Sequence, residues 1–457
     1  MRRSRIGSAL TFSGRRRLTP NIWKSSWIKR RRSRHDRADV NSGGDDMTIH
    51  SFLRKSVASA AIAIGLGLSP AMADNIVFWV NSPLASGPDA PIYAEIKAFE
   101  KETGHTVEVQ SVAHMEMERN LFVALSGGAG PDVMALDIAW VAGLADAGLL
   151  ADLSEKSKPF AAEYQAGPLA SGRFDQRQYA MPLYTNNVAL FVNDRMLKEA
   201  GINKAPANWE EFHKAAVAMT NKDKDTYGLT FGGSRMGAFQ LYSFIWENGG
   251  DIIDETGKVR VGEPGAVDAV DFLAKLYTEN HAMPESVLTA GSWDEVNAPF
   301  IQERAGMLIS GDWALSALEK GNPKLEFSVH PLPTGKQAAT VIGGYNLAIN
   351  ANSSVQDASW ELVRWLTGPR SVELMKKYDR LSATVAATTP EAIAALPEKQ
   401  RPFMQQADAG KARPVVAAWS QIHNEIIANV WDSVLRGKPA KDAMTEASTA
   451  IQGLLGQ

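Results

Sequence analysis

The chain has 457 residues, with 48 Lys and Arg, 51 Asp and Glu, and no Cys. Residues 1–73 hold 15 of the basic and 4 of the acidic residues, so the remainder carries 33 basic and 47 acidic groups and a net charge of about −14. This acidic balance argues against nucleic acid or anionic lipid as the main partner. Without disulfides the fold depends on ordinary hydrophobic cores, and roughly 380 residues suffice for two lobes.

Residues 1–46 contain two basic runs, Arg15–Arg17 and Arg30–Arg32, with almost no apolar periodicity. Such a composition is typical of a disordered segment or of an extension upstream of the true start codon. A twin-arginine export signal is not favoured, because polar residues follow the first run where an apolar segment is required. We therefore expect that Met47 is the initiator.

Residues 47–73 have the pattern of a secretory signal peptide. Arg54 and Lys55 lie in a short basic segment, residues 57–68 form an apolar segment too short to span a bilayer, and Ala71-Met72-Ala73 is a small-residue cleavage site. No Cys is present to carry a lipid. The sequence therefore predicts export to the periplasm through the general pathway, as a protein that is not a lipoprotein.

The mature chain opens with a strand at 75–80, a helix at 91–103 and a strand at 106–111. The predicted helices that follow cover 115–125, 140–147, 209–220, 266–280, 360–366, 372–377, 421–435 and 440–455. The further predicted strands cover 133–136, 188–193, 227–231, 305–309 and 325–331. Alternation of this kind predicts an α/β fold of open, mostly parallel sheets flanked by helices. Ligands of such sheets bind at the carboxyl ends of the strands.

Seven motifs, in sequence order, resemble those of the extracellular solute-binding proteins of family 1, the carbohydrate receptors of ATP-driven importers. They are Asn75-Ile-Val-Phe-Trp79, Gly130-Pro-Asp-Val133, Tyr179 to Tyr184 followed by Leu190 to Asp194, Ala205 to Trp209, Arg304 to Trp313, Pro331-Leu-Pro333 and Gly343-Gly344. The resemblance covers nearly all of residues 74–457.

The resemblance implies a type II-like, two-lobed periplasmic-binding fold with three hinge crossovers. Mapped onto this chain, the crossovers lie near 182–187, 340–345 and 381–385. The implied N-terminal lobe comprises 74–182 plus 341–384, and the C-terminal lobe comprises 183–340 plus 385–457. A ligand is then expected in the cleft between the lobes, where hinge closure excludes water.

The implied function is that of the substrate-binding component of an ABC importer, which binds a mono- or oligosaccharide and delivers it to the membrane permease. The implied protein is a monomer and not an enzyme, and it needs neither a cofactor nor a metal.

A sugar ring presents a face of C–H groups and an edge of hydroxyls, so its receptor needs flat aromatic side chains and polar groups. By resemblance, Trp313 stacks on the sugar, and Trp246 and Trp419 occupy similar positions. The polar and close-approach candidates lie at strand ends and crossovers: Asn81, Ser82, Asp137, Tyr184, Asn186, Asn187, Arg235, Asp312, Gly344, Tyr345 and Arg413. Core packing, helix capping and interlobe salt bridges are the alternative roles for these residues.

Two alternatives remain open at this point. The first loop, Asn81-Ser-Pro-Leu84, lacks the charged residues of the maltose-binding pattern, so a non-sugar solute such as a glycerophosphate or polyol is a second ligand class. An exported glycoside hydrolase would need two carboxylates about 5 to 9 Å apart beside a cleft. Neither a nucleophile elbow nor a zinc-protease motif appears in the sequence.

Overall fold

The computed structural model describes residues 73–457, so the predicted leader and all but the last residue of the predicted signal peptide lie outside the described residues. The strands are β1 (Asn75–Asn81), β2 (Thr106–Val112), β3 (Val133–Asp137), β4 (Arg173–Phe174), β5 (Arg177–Gln178), β6 (Ala180–Asn193), β7 (Met307–Gly311), β8 (Phe327–His330), β9 (Thr340–Ile349), β10 (Leu381–Ser382) and β11 (Gly410–Ala412).

The helices alternate with the strands from β1 to β3 and then occur mostly in groups between strands. They are α1 (Pro91–Thr103), α2 (His114–Ser126), α3 (Val141–Asp146), α4 (Ser154–Ser157), α5 (Ala166–Ser171), α6 (Asp194–Glu199), α7 (Trp209–Ala218), α8 (Ser234–Glu247), α9 (Pro264–Thr278), α10 (Trp293–Ile301), α11 (Leu315–Gly321), α12 (Gln356–Thr367), α13 (Ser371–Lys376), α14 (Pro390–Ala394), α15 (Arg401–Gln405), α16 (Trp419–Gln421), α17 (Ala428–Leu435) and α18 (Ala440–Leu455).

The predicted βαβ opening is confirmed, and it directs two polar side chains to one edge of the sheet. Ile76, Phe78 and Val80 alternate along β1 and are fully buried, as the period of a strand requires. The strand pairs in parallel with β2 on one side and with β3 on the other. The carboxyl ends of β1 and β3 therefore lie side by side, and they end in Asn81 and Asp137.

Two long strands connect the two lobes. In β6, residues 180–187 pair with β9, whereas residues 188–193 pair with β7 and β8. In turn, β9 pairs with β3 and β11, and β10 pairs with β6 at Tyr184 and Thr185. The three predicted crossovers thus lie in neighbouring strands, and β6 is hydrogen-bonded to both β9 and β10.

The predicted two-lobed α/β fold is confirmed, and the strand directions follow from the crossovers. Parallel pairing joins β1 to β2, β1 to β3 and β9 to β11. Where β6 and β9 pair, they are antiparallel, because β6 runs out of the N-terminal lobe and β9 runs back into it. The pairs β3–β9, β6–β7, β6–β8 and β6–β10 are also antiparallel.

Separate hydrophobic cores stabilise the two lobes. The N-terminal lobe packs residues from 76–184 with residues from 345–375. In the C-terminal lobe, residues from 188–341 pack with residues from 419–451, and a further cluster lies around Phe191 and Phe300. The exact lobe boundaries remain a prediction.

Two predicted elements differ from the structure. Residues 227–231 do not form a continuous strand, because they make only two separate bridges, Tyr227 to Ala305 and Thr230 to Leu308. The helix predicted at 421–435 is interrupted by a π-helical segment, Ile422–Ile427. A π-helical turn inserts an extra residue and rotates the side chains that follow, and hydrophobic periodicity does not reveal it.

Within residues 73–457, every helix is too short or too polar to cross a membrane.

Gly344 is the position in β9 where a side chain is least tolerated. Its φ of 132° lies in the region that favours glycine, and a β-carbon built there would lie 2.3 Å from the carbonyl oxygen of Tyr184 in β6. We expect Gly344→Ala to lower the free energy of unfolding by about 2 to 4 kcal/mol, from backbone strain and overpacking.

The free energy of unfolding is measured by urea denaturation of both proteins. Gly453→Ala is the matched control, because Gly453 lies inside α18 with open space around it, and this variant should be as stable as the parent or more so. Equal stability of Gly344→Ala and the parent would contradict the close approach of β6 and β9.

Candidate ligand-binding cleft

A cleft of about 840 Å³ lies at the carboxyl ends of β1 and β3, where the crossover strands pass between the lobes. Its volume falls in the range of small-molecule sites. The structure brings most of the predicted site residues together there, namely Asn81, Asp137, Tyr184, Asn186, Arg235, Trp313, Gly344, Tyr345 and Arg413.

Two predicted tryptophans do not line the cleft. Trp246 and Trp419 are each 1% exposed and belong to the core of the C-terminal lobe. The indole N–H of Trp246 donates a hydrogen bond to Asp251 at 2.8 Å, so its polar atom is satisfied inside the lobe. Both residues therefore pack in the core, which is the alternative role that the sequence left open for them.

Three predicted polar residues also lie outside the lining. The Asn187 side chain donates to the carbonyl oxygen of Phe403 at 2.9 Å and accepts from Gln406 at 2.8 Å, so it ties β6 to the segment around α15. Ser82 begins the short 3-10 turn that follows β1. Asp312 lies one layer behind the cleft surface, against a lining arginine.

One wall of the cleft is aromatic. The Trp293 and Trp313 rings lie 5.0 Å apart at 56°, and the Phe239 ring lies 6.3 Å and 6.1 Å from them. Trp293 begins α10 because the Ser292 hydroxyl caps that helix by accepting from the backbone N–H of Glu295. The sequence analysis missed Trp293; the capping motif locates the helix start but gives no sign of a cleft.

The floor of the cleft is a stack of aromatic and imidazole rings. The Tyr184 and Tyr345 rings lie 5.5 Å apart at 22°, and the His114 ring stacks on Trp140 at 5.4 Å. His114 also contacts the Tyr345 hydroxyl through Nδ1. Burial lowers the pKa of His114 and raises the pKa of both tyrosines, so these groups are neutral hydrogen-bonding partners near pH 7.

Two buried ion pairs flank this floor, and each one joins the two lobes. Asp137, at the end of β3, accepts from the Arg413 guanidinium at 2.6 Å. Arg380, which follows the N-terminal-lobe residue Tyr378, donates to Asp312 at 3.2 Å. The arginines therefore hold the lobes together at the same positions where they line the cleft.

Burial raises the pKa of Asp312 to about 7, with the neighbouring Arg380 charge acting in the opposite direction. Arg380 is a further residue that the sequence analysis missed, although it lies one position before the predicted third crossover.

Several buried polar atoms of the lining residues have no hydrogen-bond partner within residues 73–457. They are Oδ1 of Asn81, of Asn186 and of Asn297, Nε1 of Trp313, and Nε of Arg380 and of Arg413. Buried polar atoms in native proteins are nearly always paired. Their concentration around one cleft marks positions where the polar atoms of a ligand would complete the hydrogen bonds.

Among the described residues, no group of three or more His, Asp or Glu side chains is arranged to hold a metal ion.

Several known binding proteins are similar to this chain in sequence. The family described as bacterial extracellular solute-binding protein matches residues 84–373. A probable ABC transporter-binding protein of Deinococcus radiodurans is 30% identical over 59% of this chain and 67% of its own. The diacetylchitobiose-binding protein DasA of Streptomyces coelicolor is 23% identical over 84% of this chain and 90% of its own.

Among solved structures, an ABC substrate-binding protein of Listeria monocytogenes, in complex with cycloalternan, superposes with a TM-score of 0.76. The two chains are 21% identical, and the match covers 84% of this chain and 99% of the other. At this level of identity the likeness shows the fold.

His423, in the π-helical segment, provides a test of the buried floor. Burial, and next to it the Arg413 charge, lowers the pKa of His423 to about 3. The unfolded chain therefore binds a proton below about pH 6.5 that the folded protein does not bind, and this group destabilises the fold as the pH falls toward 3. We expect the stability advantage of the parent over His423→Gln to shrink by about 1.4 kcal/mol per pH unit between roughly pH 6 and 4.

Urea denaturation of both proteins at pH 7.5, 6 and 5 measures this change, and the difference between them cancels the contributions of other titrating groups. The exposed His281 supplies the control, since His281→Asn should follow the parent at every pH. Parallel pH profiles for His423→Gln and the parent would show that His423 is not buried as a neutral group.

Proposed function

The chain belongs to the bacterial extracellular solute-binding protein family, and from that membership we propose that it is the substrate-binding component of an ABC-type carbohydrate importer. In this role it binds a mono- or oligosaccharide in the interlobe cleft and delivers it to a membrane permease. The protein acts as a receptor, and no step of chemistry on the sugar is required.

The observation that carries the proposal is the pairing of an aromatic wall with unpartnered buried polar atoms in one cleft. Trp293, Trp313 and Phe239 offer flat faces for the C–H face of a sugar ring. The amide oxygens of Asn81 and Asn186 are acceptors for hydroxyl donors at the edge of the ring. The aromatic wall belongs to the C-terminal lobe and Asn81 to the N-terminal lobe, so a ligand would contact both.

The mechanism follows from this division of contacts. A ligand that touches both lobes binds the closed arrangement more tightly than the open one, so it shifts the population toward closure. The strands β6, β9 and β10 are the segments in which backbone rotation would move one lobe relative to the other. The closed form then presents both lobes to the permease.

The names of the relatives support a carbohydrate as the ligand. The Streptomyces relative is named for diacetylchitobiose, and a galactooligosaccharide-binding protein of Bacillus subtilis is 21% identical to this chain. These names describe the ligands of those proteins. For this chain, a carbohydrate ligand is supported by the cleft, which combines faces for stacking with acceptors for hydroxyl groups.

We also propose that the protein works as a free monomer in the periplasm after signal-peptide removal. The expected mature N-terminus is Asp74, and intact-mass measurement of protein from a periplasmic extract checks it. A secreted chain that retains residues 1–46 would contradict Met47 as the initiator, and an added lipid mass would contradict the unlipidated form.

Trp313→Ala should weaken carbohydrate binding, because it removes a stacking face from the cleft. Loss of that contact is expected to cost about 1.5 to 3 kcal/mol, which corresponds to roughly a 10- to 100-fold rise in Kd. A thermal-shift screen of the purified protein against neutral and acidic mono-, di- and oligosaccharides and polyols first identifies the ligand. Calorimetric titration then compares the variant with the parent.

Trp360→Ala is the matched control. Trp360 is a half-buried tryptophan in α12 that packs against Phe160, and it does not line the cleft. This variant should retain the affinity of the parent. Unchanged binding by Trp313→Ala, or an equal loss in Trp360→Ala, would remove the aromatic wall from the proposed site.

A further inference from the structure

Arg235 is a cleft-lining arginine whose charge is not neutralised by the protein. It lies in the first turn of α8 and is partly exposed. Both other arginines of the lining are paired with an aspartate, Arg380 with Asp312 and Arg413 with Asp137. Within residues 73–457, Arg235 makes neither an ion pair nor a hydrogen bond.

Arg235 and Arg413 share one corner of the cleft. Phe239 lies one helical turn after Arg235 on the same face of α8, and the Arg413 guanidinium lies 5.1 Å from the Phe239 ring centroid. The Nε atom of Arg413 is buried and has no partner in the described part of the chain. Two guanidinium groups with free donors therefore border the same volume.

One carboxylate at this corner, Asp137, forms an ion pair with Arg413. Burial lowers the pKa of His114 and of His423, and the charges of Arg413 and Arg235 lower it further. Both histidines are therefore neutral and add no charge at this corner. Glu118 lies behind this corner, and burial raises its pKa, which disfavours its negative charge. Arg235 acts on Glu118 only through its charge and makes neither a hydrogen bond nor an ion pair with it, so no carboxylate of the described residues contacts the Arg235 guanidinium.

The other charged groups of the lining form no ion pair with Arg235 either. Lys320, Lys377, Asp89 and Asp294 are exposed, so water screens them, and Asp379 is half-buried beside Arg380. A neutral sugar could accept hydrogen bonds from Arg235. However, closure around it would leave an uncompensated cation in a cleft from which water is excluded, and this is unfavourable.

We propose that the ligand carries an anionic group, a carboxylate or a phosphate, which binds between Arg235 and the Nε side of Arg413. The ligand class is then an acidic saccharide, with its ring against Trp293 and Trp313. The inference rests on the proposed function, since it assigns a charged substituent to the carbohydrate that the cleft would bind.

The test compares matched pairs of compounds with the purified full chain, by thermal shift and then by calorimetry. The pairs are glucose with glucuronate, galactose with galacturonate, the neutral disaccharide with its uronate counterpart, and glucose with glucose 6-phosphate. Glycerol 3-phosphate and inorganic phosphate are the anions without a sugar ring. The variant is Arg235→Gln, and the control is Arg119→Gln, which makes the same change in net charge on the exposed side of α2.

The expected result is that the acidic member of at least one pair binds about 10- to 100-fold more tightly than its neutral partner, with an affinity that falls as salt is added. Arg235→Gln should abolish this preference and leave the ligand-free melting temperature unchanged, and Arg119→Gln should keep the preference. Whether the tighter-binding acidic compound carries a phosphate or a carboxylate identifies the anionic group that the subsite binds.

Equal or tighter binding of the neutral partners, or a preference that survives in Arg235→Gln, would overturn the anionic subsite and leave the carbohydrate receptor standing. Binding of glycerol 3-phosphate without any sugar, abolished in Arg235→Gln, would do the reverse: the subsite would stand and the carbohydrate assignment would fall. If no neutral or acidic compound shifts the melting temperature, both proposals fail.

Discussion

The antiparallel pairing of β6 with β9 is the constraint on which the rest of the structure depends. These strands carry the chain out of one lobe and back into it, so they lie side by side where the chain passes between the lobes. Close approach there requires Gly344, and the same segments present Tyr184, Asn186 and Tyr345 to the cleft. The hinge and the floor of the binding site are therefore one piece of backbone.

The two ion pairs beside this floor join the lobes and also hold arginine donors at the cleft. Each pair has one residue in each lobe: Asp137 pairs with Arg413, and Asp312 pairs with Arg380. A buried pair with atoms left unpartnered is a weak source of stability. These pairs are better understood as positioning devices, because they hold arginine donors at the edge of the cleft and leave part of each guanidinium free for a ligand.

Much of the fold was predictable from sequence because helical and strand periodicities are local. The βαβ opening and helix α18 lie where the apolar pattern predicts them, and family-like motifs located the crossovers. Residues at strand ends, such as Asn81 and Asp137, could be assigned to the cleft by the same topology rule. The pattern could not separate Trp313, which lines the cleft, from Trp246, which is buried, because both follow apolar runs.

The N-terminal lobe is discontinuous in sequence, and this affects the order in which the protein can fold. Its sheet is complete only when β9 pairs with β3. The first hundred residues of the described chain therefore cannot form their full core without residues beyond 345. Contacts this distant along the chain form slowly, because a long loop must first be closed. For a chain exported before it folds, as we propose for this one, this topology delays compaction of the leading part until the late strand is available.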